Sequence, residues 1–206
     1  MRFALALLFC AVTNLGAAEL VRTAKEVQDV TLPDSNPVIT AAEEPAGDQT
    51  GAAECDITGI DAFNDANRLR ITIRLADSMS MKDKVCYVFQ IKGRDFEDGY
   101  GYMPAANKFY YTRWQNGQVV KDQELEMNPN ADFARVGNVF MPDNKTIRKA
   151  NCVVHLFIDK DAHLSKVGKG TAQSLEVKCY SGNYTKSLGD AKVADETVCF
   201  KLNFTR

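Results

Sequence analysis

The stretch Arg68-Leu69-Arg70-Ile71-Thr72-Ile73-Arg74-Leu75 alternates between charged or polar residues and apolar ones. Successive side chains of a β-strand point to opposite faces, so this alternation places the leucines and isoleucines on one face and the arginines on the other. The pattern predicts a strand with one face toward a core and one toward solvent.

Weaker versions of this signal recur along the chain, at 85–91, 108–114, 118–121, 135–141, 152–159, 174–180 and 198–204. Asn116-Gly117 separates two of these segments, and both residues tolerate the positive φ that a tight hairpin needs. Segment 152–159 is almost wholly apolar, which predicts a central strand covered on both sides.

Short polar turns separate these segments, and no long helical period competes with them. Strand-rich chains of this kind pair their strands antiparallel and close into a sandwich or a barrel. We therefore expect a mostly β fold: a single antiparallel β-sandwich, or a barrel-like variant, with about eight strands.

The N-terminus has the features of a secretory signal peptide over residues 1–18. Arg2 supplies positive charge, residues 3–12 are apolar, and Gly16-Ala17-Ala18 offers the small residues that a signal peptidase requires. The apolar stretch is shorter than the roughly 20 residues of a spanning helix. We expect a secreted, extracellular protein (periplasmic if bacterial) without a membrane span.

Residues 19–54 differ in composition from the strand-rich part. They hold eight acidic residues, two basic ones and no aromatic ring. Such a segment buries too little apolar surface to offset its ordering entropy, so we expect a flexible acidic linker or tail. The β domain then covers 55–206, with 22 basic and 19 acidic residues and no basic run. That balance argues against nucleic-acid binding.

Five cysteines remain once the signal peptide is removed: Cys55, Cys86, Cys152, Cys179 and Cys199. In an oxidising compartment cysteines pair where geometry allows, and no CxxC cluster favours a metal instead. An odd count predicts two disulfides and one leftover thiol, which can link two copies into a homo-oligomer. Cys152 and Cys179 both fall on inward faces of predicted strands, so a bridge between them is feasible.

Three sequons, at Asn144, Asn183 and Asn203, are glycosylation candidates. They matter only in a eukaryotic secretory pathway, and otherwise arise by chance because the motif is short.

Most aromatic residues of the domain's first half fall in segment 96–114, which includes Phe96, Phe109, Tyr111 and the only tryptophan, Trp114. Aromatic faces bury large apolar areas, and tyrosine and tryptophan keep one polar end. Two interpretations stay open. The rings fill the core, or they form a recognition patch for a glycan or an extracellular protein. The patch would consist of Tyr100, Tyr102, Tyr110, Arg113 and Trp114.

Signals for metal binding and catalysis are weak. His155, Asp159, Asp161 and His163 are close in sequence, but a straight strand would separate His155 from Asp159 by about 13 Å. Asp159, Asp161 and His163 could instead converge in the following turn, although aspartates after a strand more often form turn hydrogen bonds. No metal or cofactor is predicted. Glycoside hydrolysis needs two carboxylates facing a cleft. The candidates for such a pair are Glu97, Asp98, Glu124 and Glu126.

The sequence therefore favours a secreted, non-catalytic binding or structural module that recognises glycan or protein through its aromatic segment. Two alternatives from other classes stay open. One is a secreted glycan-active hydrolase, which requires paired carboxylates near Trp114. The other is a β-cup that carries an apolar ligand between its sheets.

Overall fold

The computed structural model describes residues 28–33, 38–50, 52–78, 80, 82–126, 133–136, 139–142, 153–163, 168–186, 188, 191–197 and 199–206. The predicted signal peptide, Cys152 and Asn144 lie outside these ranges. In the described part of the chain, no helix combines the length and apolar character needed to cross a membrane.

The described residues form two β-sheets. Sheet A has eight strands: β1 (Gln28–Thr31), β5 (Val85–Lys92), β6 (Glu97–Met103), β7 (Lys108–Gln115), β8 (Gln118–Glu126), β12 (Ala172–Asn183), β13 (Lys192–Glu196) and β14 (Phe200–Thr205). Sheet B has six: β2 (Ile39–Glu43), β3 (Ile57–Asn64), β4 (Arg68–Leu75), β9 (Phe133–Val136), β10 (Val139–Pro142) and β11 (Val153–Asp159). A 3₁₀ turn at Ala53–Cys55 and the one-turn helix α1 (Lys160–His163) complete the described elements.

Strand order in sheet A is β1-β14-β12-β5-β6-β7-β8, with β13 also beside β12, and in sheet B it is β2-β3-β4-β11-β10-β9. The strands pair antiparallel, except that β1 runs parallel to β14. Asn116 and Gly117 join β7 to β8 with φ of 53° and 73°, the paired positive values that a two-residue hairpin turn needs. The predicted mostly β, antiparallel sandwich is confirmed.

One core fills the space between the two sheets. On β4, Leu69, Ile71 and Ile73 are fully buried, as the alternation of their segment predicts. Burial of each such side chain contributes about 1.5–3 kcal/mol. The facing side chains of sheet A include large rings: Tyr87, Phe89, Tyr100, Tyr102, Phe109, Tyr111 and Phe200.

A second, smaller cluster lies on the outer face of sheet A. It consists of Cys86, Val88, Met103, Tyr110, Tyr180 and Leu188. Leu188 and Tyr184 follow β12 and cover this part of the sheet. The Tyr184 ring centroid lies 4.3 Å from that of Tyr110, and a methyl group on Gly101 would collide with Leu188. This "outer cluster" covers one half of the outer face.

The prediction that residues 19–54 are flexible is wrong for two stretches, which form strands of the two sheets. β1 joins the edge of sheet A, and β2 pairs with β3 in sheet B. Leu32, Ala41 and Ala42 are buried in the main core. Small and aliphatic residues can fill an edge of a core without any aromatic ring, and an average over the whole segment conceals them.

Five further differences concern strands. β3, β6 and β13 occupy segments where no strand is predicted, and the predicted strand 135–141 is two short strands, β9 and β10. β11 is buried on alternate residues only, so it is not covered on both sides as predicted. Its other face carries the half-buried side chains of His155 and Phe157.

The prediction of disulfides is not supported among the described cysteines. Cys55, Cys86, Cys179 and Cys199 are all free thiols. Burial raises the pKa of Cys86 to about 12 and that of Cys179 well above its usual value, which keeps both thiols protonated. Core positions suit cysteine as a small apolar residue, and counting cysteines cannot reveal that role.

A buried lysine joins the two sheets at one end of the sandwich. The Lys160 side chain is almost fully enclosed. Its ammonium donates hydrogen bonds to Asn64 Oδ1 at 3.0 Å, to the carbonyl oxygen of Asp65 at 2.9 Å and to that of Thr205 at 2.6 Å. Asn64 ends β3 and Asp65 follows it, whereas Thr205 ends β14, so the lysine connects the sheets.

Candidate functional site

The predicted patch residues do not form one surface. Tyr100 and Tyr102 point into the main core, and Tyr110 lies in the outer cluster on the opposite face of sheet A. All three rings are at most 2% exposed. Tyr110 is paired with Gly101 of β6, whose neighbours Tyr100 and Tyr102 point to the opposite face, so the three rings cannot share a platform. Only Arg113 and Trp114 of the five offer substantial surface.

Arg113 is held by a buried carboxylate. Its Nε and Nη2 donate to the two oxygens of Asp98 at 2.7 and 2.8 Å, the bidentate geometry that suits a guanidinium and a carboxylate. Asp98 is fully buried, whereas 47% of the Arg113 side chain is exposed. The hydroxyls of Tyr100 and Tyr111 also donate to Asp98, each at 3.2 Å. Four donors therefore converge on one carboxylate.

The hydrogen-bond network around Asp98 stabilises the fold and does not provide a reactive group. Burial, together with the nearby charge of Asp98, raises the pKa of Tyr111 to about 12 and that of Tyr100 still further. Both phenols therefore stay protonated as hydrogen-bond donors. Asp98 has its oxygens occupied by these partners, which leaves it poorly placed to protonate or attack a substrate.

Trp114 lies on the exposed half of the outer face, next to the outer cluster. Its half-buried indole extends over Gly99 on the neighbouring strand, and a methyl group on Gly99 would lie 2.7 Å from Trp114 Cη2. Glycine is required here because its bare backbone leaves room for the ring. Leu188 also approaches Gly99, because its Cδ1 would lie 3.7 Å from the same methyl group, so the outer cluster reaches the glycine under the indole.

Side chains that can form hydrogen bonds flank the indole. Glu97 of β6 is directly opposite Trp114, and its carboxylate accepts a 2.7 Å hydrogen bond from Gln90 of β5. On the other side, Asp122 of β8 accepts a 2.6 Å hydrogen bond from Thr112. These internal bonds fix the orientation of both carboxylates before any ligand arrives.

Val119 extends the apolar strip toward the sheet edge. It is the cross-strand partner of Trp114 and is 48% exposed. We refer to Gln90, Glu97, Trp114, Val119 and Asp122 together as the Trp114 surface. It combines one indole, one aliphatic side chain and three polar groups on a strand face.

The carboxylates proposed for a hydrolase are dispersed. Asp98 is fully buried against Arg113, whereas Glu97 lies beside Trp114 on the opposite face of β6, because neighbouring strand residues point to opposite faces. Glu124 pairs with Lys108, and the side chain of Glu126 lies outside the described part.

The histidine region shows ordinary structural contacts. His155 Nδ1 lies 2.9 Å from Thr72 Oγ1 on the adjacent strand. Burial, with a contribution from the charge of Arg70, lowers the pKa of His155 to about 4. Asp161 pairs with Lys169 and Arg206. The side chain of His163 lies outside the described part.

Two of the three sequons fall in sheet A. Asn183 is exposed at the end of β12, and Asn203 is half-buried within β14, between β1 and β12. Their glycosylation stays a prediction.

Sequence reasoning missed an acidic cluster. Asp48, Asp56 and Asp195 each place a carboxylate oxygen within 4.8 Å of the other two. Burial, and then the charges of Asp48, Asp56 and Glu44, raise the pKa of Asp195 to about 6. The three aspartates are far apart in sequence, so no spacing rule could have found them.

Comparisons with known proteins give little guidance. No protein-family model matches the sequence, and no curated protein matches it. A solved structure from Bacteroides uniformis, described as a "putative carbohydrate-binding protein", is similar over 86% of this chain and 99% of its own. The identity is 9% and the TM-score 0.40, a similarity that carries no functional inference.

Proposed function

We propose that this protein is an exported, non-catalytic module that binds a glycan on the Trp114 surface. The observation that supports the proposal is the placement of the indole over Gly99, with oriented hydrogen-bonding groups on both sides. An aromatic face offers apolar contact to the C–H face of a sugar ring, and amide and carboxylate groups accept or donate bonds to its hydroxyls.

The shape of the surface favours an extended, polar ligand. Within the described part of the chain, β8 ends the order of sheet A, and no further strand lies beside it. Exposed Val119 continues the apolar strip to that edge. A linear glycan could lie along this strip, with one ring on Trp114 and its hydroxyls toward Glu97 and Asp122.

The environment of the carboxylates supports the non-catalytic part of the proposal. Asp98 is buried beneath Arg113 and two tyrosine hydroxyls. Glu97 and Asp122 each already accept a hydrogen bond from a neighbouring side chain, from Gln90 and Thr112 respectively. These features support binding of a glycan on the Trp114 surface without cleavage.

A glycan array tests the proposal. Wild-type protein is compared with Trp114→Ala, which removes the indole, and with Gly99→Ala, whose methyl group displaces it. Loss of a central aromatic contact costs about 2 kcal/mol, so both variants should bind roughly 30-fold more weakly.

Phe157→Ala is the matched control, because Phe157 is a half-buried ring on the outer face of the other sheet. It should bind like wild type. Absence of glycan binding by the wild type, or equal binding by Trp114→Ala, refutes the proposal. Selective binding of proteins through this surface would indicate a protein partner instead.

A further inference from the structure

Three aspartates from separate segments converge between sheet A and the start of β3. Asp48 lies in the loop that follows β2, Asp56 directly follows the 3₁₀ turn, and Asp195 lies on β13. Their carboxylate oxygens lie within 4.8 Å of one another. Like charges at this distance repel strongly in a partly buried environment unless a cation screens them.

Asp56 is the decisive member. Its residue is only 4% exposed, and its Oδ1 has no hydrogen-bond partner among the described residues. Buried carboxylate oxygens are normally paired, because leaving one unpaired costs free energy. In the same loop as Asp48, the enclosed Oε1 of Gln49 also lacks a partner in the described part.

Backbone hydrogen bonds hold two of the carboxylates in place. Gly47 N–H donates to Asp56 Oδ2 at 2.7 Å, so only Oδ1 is left for another partner. Asp195 accepts from the N–H groups of Ile57 at 2.6 Å and Glu196 at 2.8 Å. Within the described ranges, none of the three aspartates forms an ion pair with a lysine or arginine.

We propose that Asp48, Asp56 and Asp195 form a Ca²⁺ site. Calcium prefers carboxylate and carbonyl oxygens at about 2.3–2.6 Å and accepts irregular geometry. Two oxygens on such an ion can be up to about 5 Å apart, so the observed spacing needs little rearrangement. Water and nearby carbonyl groups would complete the coordination shell.

The ion would fasten the N-terminal part of the domain to sheet A. The same loop is already connected to β13, because Thr50 donates from its backbone N–H and from its hydroxyl to the carbonyl oxygen of Ala194, at 2.7 and 2.9 Å. Calcium would add a strong cross-link between this loop, the start of β3 and β13. The site is separate from the Trp114 surface, so glycan binding and calcium binding can fail independently.

Calorimetric titration of the chelator-treated protein with CaCl₂ tests the site, with thermal unfolding as a second readout. We expect one bound ion. At free Ca²⁺ about 100 times Kd, the linkage relation together with typical unfolding entropies predicts a rise in Tm of about 5–10 °C. MgCl₂ should give a smaller rise, because Mg²⁺ demands a tighter octahedral shell.

Asp56→Asn and Asp48→Asn should each weaken Ca²⁺ binding at least 10-fold and lose most of the Tm rise. Asp48 is exposed, so its variant is expected to fold even if the Asp56 variant does not. Asp95→Asn, in the exposed turn between β5 and β6, is the matched control and should retain full binding. The proposal is overturned by a lack of binding up to about 10 mM Ca²⁺, above the roughly 10⁻⁴–10⁻³ M of weak extracellular sites. Equal binding by wild type and Asp48→Asn would also overturn it.

Discussion

Replacing Asp98 with alanine should destabilise the domain strongly. The change removes the acceptor of two buried tyrosine hydroxyls, those of Tyr100 and Tyr111. Each buried donor left without a partner costs about 1–3 kcal/mol. The released Arg113 contributes less, about 1 kcal/mol or below, because almost half of its side chain is exposed and can reach water.

Together these terms predict a loss of about 2–7 kcal/mol, which brackets the roughly 3–5 kcal/mol for breaking a buried ion pair. Urea unfolding at neutral pH, followed by circular dichroism, measures the loss. Asp98→Asn keeps one acceptor oxygen and should lose less. Asp29→Ala is the control, since Asp29 is 67% exposed and 3.9 Å from Lys201, and it should change stability by no more than about 0.5 kcal/mol. A loss below about 1 kcal/mol for Asp98→Ala would show that the network is not structural.

Three further predictions concern buried polar groups and thiols. Lys160→Met leaves three acceptors without their donor and should cost about 3–5 kcal/mol in urea unfolding. His155 has a folded pKa of about 4, below the 6.5 of the free side chain, so the unfolded state takes up a proton first as the pH falls. The contribution of neutral His155 to the free energy of unfolding is complete above pH 6.5. About 2–3 kcal/mol of it is lost as the pH falls from about 6.5 to 4. His155→Gln should abolish that part of the pH dependence. Among the described cysteines, iodoacetamide should modify half-exposed Cys199 in the native protein. It should modify the buried cysteines, Cys55, Cys86 and Cys179, only after unfolding. Peptide mass spectrometry would show which thiols react. Rapid native labelling of Cys179 would contradict the buried core position.

Strand alternation was sufficient to predict the fold class. β4, β5 and β7 lie where the period of two places them, and Asn116-Gly117 forms the expected hairpin. These signals are local, because each depends only on side chains pointing alternately to a core and to solvent. β1, β2, β3, β6 and β13 were not predicted. The edge strands β1 and β2 bury fewer apolar residues and carry weaker patterns, and glycines interrupt the patterns of β3 and β6.

The candidate sites could be predicted only in part. Trp114 and Arg113 were identified as surface residues, but the burial of Tyr100 and Tyr102 depends on which face of β6 meets the other sheet. Glu97 was weighed only as a catalytic carboxylate, and Gln90 and Asp122 were not considered as partners of Trp114. Their proximity arises from strand register, which a single sequence does not specify.

The contact between Asp48, Asp56 and Asp195 was even less predictable from the sequence. Asp48 lies in a segment that is expected to be flexible, and Asp195 lies in one where no strand is predicted. Their contact requires that both segments join the sandwich.

Trp114 is the only tryptophan in the chain, so its fluorescence reports directly on the proposed binding surface. Titration with a glycan that the array identifies should produce a saturable shift in emission, with the same Kd as calorimetry gives. Calorimetric binding with no change in Trp114 emission would place the ligand elsewhere and contradict the account.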